Sequence, residues 1–384
     1  MKKRIKLLRV VTQAEVVPWH LDNFITRCLD DYDLYITGNK VSVYKDTYPQ
    51  VTFIDNEIHR KISLFNDIKA LIYLMYTCIK IRPNITHSIM PKSGFVTALA
   101  GFLTFVPIRI HTFTGLIWSN KTGLGRSFLK IMDKVILRLN TKCLTDSPSQ
   151  SNFLFENGFV KHGKPIEYLG KGSLTGVNMP VYDLNFVKDR AILRSKYGIK
   201  AEDFVFGFFA RKSITKGVVA IFECFEKVAK LPNVKMLMIG HNETDGLFET
   251  LMEKYQHLSN QIVSLESVKN HEQHLAICDV LCAPSISEGF GSTVIEAAAF
   301  GIPTIGFKVL GLVDSVDDQK TGLLIPYGDI DGFANAMKKF YDNLELRDQM
   351  GYTARKRVET FFTSDYMYTL QHKFYQSLLN SAKN

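Results

Sequence analysis

The chain has 384 residues, enough for two domains of ordinary size, and its 46% hydrophobic and 22% charged residues exclude an intrinsically disordered protein. No apolar run reaches the roughly 18 residues that a transmembrane helix needs, and the charge-interrupted first strand is unlike a signal peptide, so we expect a cytoplasmic protein. The net charge of +9 is uneven, with 24 Lys and Arg against 13 Asp and Glu in residues 1–180, so the first half is expected to attract an anionic partner.

Strand and helix patterns alternate through the first third of the chain. We predict strands over 5–11, 33–38, 85–88 and 108–115, with helices over 20–30, 64–80 and 94–103. The helix over 64–80 is apolar around most of its circumference, which predicts a core helix with some surface facing lipid. His111 falls towards the end of a strand, where open α/β sheets bind ligands, although a simply packed histidine is the alternative.

A basic amphipathic helix is predicted after this strand. Its cations alternate with apolar residues and are Lys121, Arg126, Lys130, Lys134 and Arg138. Such a face either contacts anionic lipid headgroups or is solvated. No nucleic-acid-binding module is recognisable, so nucleic acid is not an expected partner.

The loop over 168–178, which includes Gly172, is rich in glycine and polar residues and is predicted to cross between two domains. The second domain then opens with a helix over 189–197 and a strand over 204–210. Arg211 and Lys216 follow this strand, and paired cations at the carboxyl end of a strand suit a diphosphate group. A basic surface turn is the alternative.

The most informative stretch is 284–303, a glycine loop between a buried strand and a small-residue helix. Gly289 and Gly291 allow close backbone approach to a ligand, and the helix beginning near Ser292 directs free N–H groups at the same space, which favours a phosphate. Glu288 and Glu296 flank the loop, and carboxylates accept hydrogen bonds from sugar hydroxyls. The alternative for Glu296 is a capping box that begins at Thr293.

The remaining patterns complete a second α/β domain. Strands are predicted over 235–240, 262–268, 304–307 and 321–326, and a last helix over about 365–379. The six cysteines stand among apolar neighbours, which predicts buried free thiols, and no acidic metal motif lies in a suitable loop. We therefore expect no cofactor and no divalent metal.

Two signatures together resemble the retaining, nucleotide-sugar-dependent glycosyltransferases of family 4, which have the GT-B fold. The first is the Glu-Gly-Phe-Gly loop with a second glutamate eight positions after the first, and the second is R-x4-K-G from Arg211 to Gly217. The resemblance implies an α/β protein with two facing Rossmann-like domains, a deep interdomain cleft and a C-terminal helix that crosses back to the first domain. The implied domains are 1–172, joined by about 365–384, and 173–364.

The resemblance also implies site residues. Those that act on the transferred sugar and the leaving diphosphate would be His111, Glu288, Arg211 and Lys216. The donor would be bound by the loop and helix start, by Glu296 at the ribose, and by residues near the base and in the crossing loop, a set comprising Phe290, Gly291, Ser292, Thr293, Glu296, Val268, Lys269 and Gly172. The segment 11–20 departs from the family because it lacks the usual glycine-rich loop, and Ala210 replaces a usual glycine.

The function implied is transfer of a hexose or N-acetylhexosamine from a UDP-sugar, with retention and without a metal. The loop over 168–178 is similar to that of a bacterial subgroup that extends polyprenyl-diphosphate-linked saccharides for surface polymers. The expected acceptor is therefore lipid-linked, and the basic first domain is expected to bind the anionic inner face of the plasma membrane. The alternatives are a non-hydrolysing UDP-sugar 2-epimerase and a catalytically silent membrane-associated partner of the same fold.

Overall fold

The computed structural model describes residues 4–60, 63–183, 189–268 and 270–382. The chain divides into two compact units, unit 1 with Met1–Gly176 and Ser364–Asn384, and unit 2 with Val177–Thr363. Each unit contains one sheet in which every pair of neighbouring strands is parallel. The predicted α/β class with two Rossmann-like domains is confirmed.

Unit 1 has a seven-stranded sheet in the order β3-β2-β1-β4-β5-β6-β7. Its strands are β1 (Ile5–Gln13), β2 (Tyr32–Asn39), β3 (Thr52–Asp55), β4 (Ile85–Ile89), β5 (Ile108–Phe113), β6 (Lys142–Thr145) and β7 (Glu167–Tyr168). The helices that connect them are α1 (Asp22–Cys28), α2 (Leu64–Ile81), α3 (Pro91–Leu103), α4 (Gly123–Leu139) and α5 (Pro148–Glu156). The order reverses between β1 and β4, which places a topological switch point there.

The central strand β1 shows why this sheet is covered on both faces. Successive side chains of a strand point to opposite faces, and here both sets contain buried apolar residues, as expected for a buried parallel strand. Leu7 and Val11 pack in the core on the α1 side, whereas Leu8 and Val10 pack against α2 and α3. Two layers of helices therefore enclose the sheet.

Unit 2 has a six-stranded sheet in the order β10-β9-β8-β11-β12-β13. Its strands are β8 (Phe204–Phe209), β9 (Val234–Ile239), β10 (Ile262–Leu265), β11 (Val280–Ala283), β12 (Thr304–Phe307) and β13 (Gly322–Ile325). Its helices are α6 (Arg190–Lys196), α7 (Val218–Val228), α8 (Leu247–Lys254), α9 (His271–Leu275), α10 (Ser292–Ala299), α11 (Leu312–Ser315), α12 (Ile330–Asp342) and α13 (Leu344–Phe361). The strand order reverses between β8 and β11.

The first strand of unit 2 is aromatic on one face. Phe204, Phe206 and Phe208 pack in one core with side chains of α7 and α12, while Val205 faces a second cluster on the other side of the sheet. This alternation buries both faces of β8, and the chain leaves its carboxyl end into the loop over 210–217. The site described below begins in that loop.

The last helix, α14 (Ser364–Ser381), returns to unit 1, as the family resemblance implies. Its fully buried Tyr375 receives a hydrogen bond from Arg9 Nη1 (2.8 Å) and is also hydrogen-bonded to His87 Nδ1. Arg9 lies on β1 and His87 on β4, so one hydroxyl ties the last helix to two central strands of the sheet. Arg9 Nη1, His87 Nδ1 and the Tyr375 hydroxyl are thus hydrogen-bonded to one another, whereas the buried Arg9 Nε has no hydrogen-bond partner among the described residues.

All six cysteines are buried and free, which confirms that prediction. Among the helices of the described ranges, none is long and apolar enough to cross a membrane.

Candidate active site

The loops that leave β8 and β11 lie on either side of the switch point of unit 2, at the carboxyl ends of adjacent strands. In open parallel sheets this crevice is the usual ligand site. The loop after β8 contains Arg211 and Lys216, and the loop after β11 contains Glu288 and Gly291. The topology therefore brings together the two loops that carry the predicted donor residues.

Glu288 is the acceptor of three side-chain hydrogen bonds at this edge of the sheet. Lys216 Nζ donates to both oxygens of its carboxylate, at 2.7 and 2.6 Å, and Ser285 Oγ donates to Oε1 at 2.7 Å. The side chains of Lys216 and Glu288 are only 20% and 17% exposed. A carboxylate that accepts three hydrogen bonds from an ammonium and a hydroxyl is held in one orientation, and it retains lone pairs for a further donor.

Backbone hydrogen bonds fix the loop that carries Glu288. The amide of Ile286 donates to the carbonyl of Thr215 (3.0 Å), which joins the loops after β11 and β8. The amide of Glu288 donates to the carbonyl of Leu310 (3.0 Å), which joins it to the loop after β12. Three neighbouring loops thus support one another.

Two glycines make these close approaches possible. Gly217 has φ +79°, and a Cβ there would lie 1.9 Å from the carbonyl oxygen of Pro284. Gly311 has φ +81°, and a Cβ there would lie 2.5 Å from the carbonyl oxygen of Glu288. Because a left-handed backbone also disfavours side chains, both positions require glycine for two reasons.

The start of α10 supplies backbone donors to the same edge. Gly291, with φ +90°, precedes the first helical residue Ser292, and no side chain caps this end of the helix. The free amides of the first turn, including that of Thr293, therefore remain as donors at the positive end of the helix dipole. Phe290 differs from the prediction, since its side chain is buried against Phe362 and only its backbone can face a donor.

Glu296 is paired with an imidazole rather than with its own helix end. His271 Nε2 lies 3.2 Å from Glu296 Oε2, and His271 Nδ1 lies 3.6 Å from a carboxylate oxygen of Glu272. The capping-box alternative is wrong, because α10 begins before Thr293 and no side chain caps it. Partial burial opposes a charge on the ring, but the hydrogen bond to Glu296 and both carboxylates raise the pKa of His271 above its ordinary value.

Arg211 forms its ion pair with Glu243, in the loop after β9. The neighbouring Lys212 is almost fully buried, donates to the carbonyl of Leu265 (3.0 Å) and lies over the ring of Phe248. Burial lowers the pKa of Lys212. Of the three cations in this loop, Arg211 and Lys216 are thus at the surface of the edge, and Lys212 holds the loop to unit 2.

Of the three residues predicted near the base and in the crossing loop, the structure describes Val268 and Gly172. Val268 follows β10 and is partly buried against the cluster that contains Val205 and Leu237. Lys269 lies outside the described residues. Gly172 belongs to unit 1, in a turn where its amide donates to the carbonyl of Leu169 (2.9 Å).

His111 lies two residues before the end of β5 and is buried rather than open to the crevice. β5 continues to Phe113, so His111 lies within the strand, and it is only 1% exposed. Ser88 Oγ lies 3.0 Å from its Nδ1, and a Cβ on Gly94 of α3 would lie 2.4 Å from the ring. Burial lowers the pKa of His111 to about 3, so the ring is neutral. Within unit 1 this histidine is a packed strand residue, and Thr114 and Gly115 are the first residues beyond the strand end.

Sequence reasoning missed three partners of the predicted site, namely Ser285, Glu243 and His271. Ser285 stands three positions before Glu288, and a short polar side chain at that spacing in a turn is a signal for a local hydrogen bond. Glu243 and His271 lie 32 and 25 positions from their partners, and the sequence alone carries no comparable signal for them.

Comparisons with known proteins show which families and structures this chain resembles. The profile of the family described as Glycosyl transferases group 1 matches residues 189–357, which lie within unit 2. The capsular polysaccharide biosynthesis glycosyltransferase CapM of Staphylococcus aureus is 28% identical over 386 residues, which cover 99% of this chain and 99% of CapM. An Escherichia coli UDP-Gal:alpha-D-GlcNAc-diphosphoundecaprenol alpha-1,3-galactosyltransferase is 24% identical over 79% of this chain and 80% of its own length.

One solved structure shows the shared fold. Anabaena HepE, solved in complex with UDP and glucose, matches with a TM-score of 0.80 at 16% identity. The match covers 97% of this chain and 100% of HepE.

Proposed function

We propose that this chain, which is a glycosyltransferase with a group 1 domain in unit 2, transfers a hexose or N-acetylhexosamine from a UDP-sugar to a lipid-linked saccharide in surface polysaccharide synthesis. The observation that carries the proposal is the bidentate pair of Lys216 and Glu288 beside the uncapped start of α10. A cation, free amides and a fixed carboxylate at one edge suit a diphosphate joined to a sugar.

The donor would use each of these groups for a distinct part of the molecule. Lys216, Arg211 and the first amides of α10 would stabilise the charge that develops on the leaving diphosphate. Glu288 would accept hydrogen bonds from the sugar and stabilise positive charge on its ring as the glycosidic bond breaks. Glu296, held by His271, would accept from the ribose hydroxyls. No divalent metal is needed in this scheme, because cationic side chains and helix amides supply the positive field.

Retention would follow if the acceptor hydroxyl attacks from the face that the phosphate leaves. The oxocarbenium-like character of the transition state makes that approach possible, since the leaving group is already largely separated when the new bond forms. The named relative from Escherichia coli forms an alpha linkage to a diphosphoundecaprenol-linked sugar. We expect a lipid-linked acceptor of the same chemical class here.

An exposed apolar surface on unit 1 supports action at a membrane. α3 packs between α2 and α4, and the outer surface of these helices carries large exposed side chains, which we call the apolar face: Leu64, Phe65, Ile68, Ile72, Tyr73, Tyr76, Ile79, Phe102, Leu103, Phe105, Leu124, Phe128 and Ile131. A soluble monomer rarely exposes so many neighbouring apolar groups. Exposed Lys80, Lys121 and Arg138 lie on the same helices or beside them and would attract anionic lipid.

This surface differs from the predicted basic face of α4. Arg126 and Lys130 lie over the ring of the buried Trp118, and Lys134 lies over Phe159. Lys130 also donates to Asn157 Oδ1 (3.0 Å). These cations cover an aromatic cluster of unit 1, so membrane binding would depend mainly on the apolar side chains.

The donor is tested by calorimetry against UDP-GlcNAc, UDP-GalNAc, UDP-glucose, UDP-galactose and GDP-mannose, each with EDTA present. We expect one UDP-sugar to bind selectively, and Lys216→Met and Glu288→Gln each to weaken it at least about tenfold. Lys200→Met is the matched control, because Lys200 is 72% exposed in the same unit. Binding of none of these nucleotide sugars would overturn the proposal, and conversion of the donor alone into a new UDP-sugar would instead indicate the epimerase.

The membrane partner is tested by flotation with phosphatidylcholine vesicles, with and without phosphatidylglycerol. We expect Ile72→Glu and Phe128→Glu to lose vesicle binding, whereas Ile192→Glu retains it, since Ile192 is as exposed (69%) but lies in unit 2. Equal binding by all three variants would contradict a role for the apolar face.

A further inference from the structure

The chain leaves β1 in a firmly packed turn rather than in a glycine loop. A short π-helical turn, Val17–Leu21, has Pro18 at its start, and the pairing of β1 with β2 shifts register just before it. Four apolar side chains of this turn and its approach are buried, namely Ala14, Val16, Val17 and Leu21. The turn is therefore anchored to the core of unit 1 over most of its length.

Trp19 is the exception in this turn. Its side chain is 64% exposed, whereas Trp118, the other tryptophan of the sequence, is 1% exposed. Indole is the largest apolar side chain and usually buries most of its surface. Because the turn is anchored by its buried neighbours, the exposed indole is held in place and its ring is available to a ligand.

The turn borders the switch point of unit 1. β1 and β4 are the neighbouring strands at which the order reverses, and ligands of open sheets bind beyond the carboxyl ends of such strands. Thr12 Oγ1 donates to Ser93 Oγ (3.2 Å), which joins the end of β1 to the start of α3 after β4. Trp19 stands seven residues after Thr12 in the sequence.

Trp19 is separate from the apolar face proposed above to meet lipid. Val16, Val17 and Leu21, which anchor its turn, pack in the core that includes Phe24 of α1 and Tyr375 of α14. Of the helices of the apolar face, α2 and α3 pack in a different core on the other side of the sheet, with Leu8 and Val10 of β1, and α4 packs against α3. The indole is thus not part of the surface formed by α2, α3 and α4.

We propose that Trp19 is a stacking platform for a pyranose ring of the acceptor saccharide. One face of a pyranose presents C–H groups that pack flat on an aromatic ring, while its hydroxyls remain at the rim for polar partners. Exposed Glu15 stands four residues before Trp19, just ahead of the turn, and its carboxylate can accept hydrogen bonds from those hydroxyls. The inference rests on the proposed function, because it requires that unit 1 receives a saccharide acceptor.

The test is acrylamide quenching of tryptophan fluorescence in the full chain, with UDP present and with methyl glycosides of glucose, galactose and N-acetylglucosamine as probes. The quenchable signal that disappears in Trp19→Phe belongs to Trp19, since Trp118 is buried. We expect at least one glycoside to reduce that quenching about twofold and to leave the Trp19→Phe signal unchanged. Absence of protection by every glycoside would overturn the proposal.

Kinetics with the protecting glycoside as acceptor give an independent readout. We expect Trp19→Ala to raise the acceptor KM about tenfold with kcat within about twofold, and Trp19→Tyr to restore most of the loss. Val43→Ala is the matched control, because Val43 is 65% exposed in the same unit. An unchanged acceptor KM in Trp19→Ala would overturn the inference.

Two further outcomes separate this inference from its premise. If wild-type protein binds UDP but no glycoside protects Trp19, the inference fails and the donor proposal stands, whereas loss of all nucleotide binding removes the donor proposal first. If Trp19→Ala loses vesicle binding and keeps its KM for a soluble acceptor, Trp19 is a membrane anchor and the stacking platform is overturned.

Discussion

At the carboxyl edge of unit 2, three acidic side chains each contact a cation or an imidazole, in the pairs Glu288 with Lys216, Glu243 with Arg211 and Glu296 with His271. The histidines within the sheet of unit 1 are instead buried and neutral, with hydroxyl partners such as Thr112 and Ser88. Both sheets are parallel and both reverse their strand order at a switch point. The same topology thus carries exchangeable charge in one unit and buried, neutral histidines in the other, where His87 Nδ1 also lies 3.1 Å from Arg9 Nη1.

The difference indicates where a charged ligand can bind without unfolding its site. Partly exposed ion pairs contribute little to stability, so a diphosphate can replace the carboxylate of a pair at small cost. Buried neutral histidines have no such freedom, because their protonation or removal leaves polar groups unsatisfied in the core. We expect substitutions in unit 2 to change binding, and substitutions in the sheet of unit 1 to change stability.

The largest effect is expected where the edge of unit 2 depends on backbone contact. Gly217→Ala places a Cβ 1.9 Å from a backbone carbonyl that cannot rotate away, so we expect a loss of about 3 kcal/mol or more in unfolding free energy. Donor binding should be lost with it. Chemical denaturation followed by fluorescence measures the change.

Gly246→Ala is the matched control for this prediction. Gly246 also has a positive φ, +70°, but a Cβ there meets nothing within 4 Å, so we expect only about 1 kcal/mol from the backbone conformation. Equal losses in the two variants would show that φ, and not the contact with Pro284, limits position 217.

The second largest effect is expected from a decrease in pH, which should lower stability through the buried histidines of unit 1. Burial, followed by the charge of Arg9, holds the pKa of His87 well below its ordinary value, and burial lowers the pKa of His111 to about 3. When folding lowers the pKa of a histidine, the unfolded state binds the proton at a higher pH than the folded state does. The unfolding free energy that this histidine contributes is therefore fully present above about pH 6.5 and falls as pH decreases towards the folded pKa. For His111 the loss at pH 5 is about 2 kcal/mol, and the depressed pKa of His87 adds to the loss in the same direction.

The variant His111→Gln should remove about 2 kcal/mol of the acid loss between pH 7.5 and pH 5. His271 has the opposite sign, because its raised pKa contributes stability that is present below about pH 6.5 and is lost as pH rises through the folded pKa. His271→Gln should therefore steepen the acid loss slightly. An acid slope that His111→Gln leaves unchanged would mean that the ring is accessible to protons in the folded state.

The parts of the site that the sequence predicted lie within single loops. Glu288, Gly291 and the start of α10 form one strand-loop-helix pattern, and Arg211 and Lys216 form another, so spacing was enough to identify them. The partners Glu243 and His271 come from other loops, and their contacts depend on which strands are neighbours. A single sequence carries no direct record of that order.

Unit 1 shows the same limit in its strand ends and helix faces. Thr112, Phe113 and Thr114 all suit a strand, and only the last pairing with β6, between Phe113 and Thr145, decides where β5 stops. The helical pattern of α4 was predicted, but the positions of Lys130 and Lys134 over aromatic rings depend on Trp118 and Phe159, which lie outside the helix. Local periodicity therefore gives the element, and tertiary contacts decide which side is covered.

The smallest effect we predict sharpens the idea of exchangeable charge. Glu243→Gln removes the carboxylate that competes with a diphosphate for Arg211, so we expect UDP to bind about fivefold more tightly, which corresponds to about 1 kcal/mol from one partly exposed ion pair. Calorimetric titration with UDP at low salt measures it. Glu249→Gln is the matched control, since it removes the same charge from the neighbouring α8, where Glu249 accepts from Asn242 rather than from Arg211. If Glu243→Gln binds UDP more weakly and Glu249→Gln does not, Glu243 positions the guanidinium for the donor. The ion pairs of unit 2 would then be a fixed framework, like the histidines of unit 1.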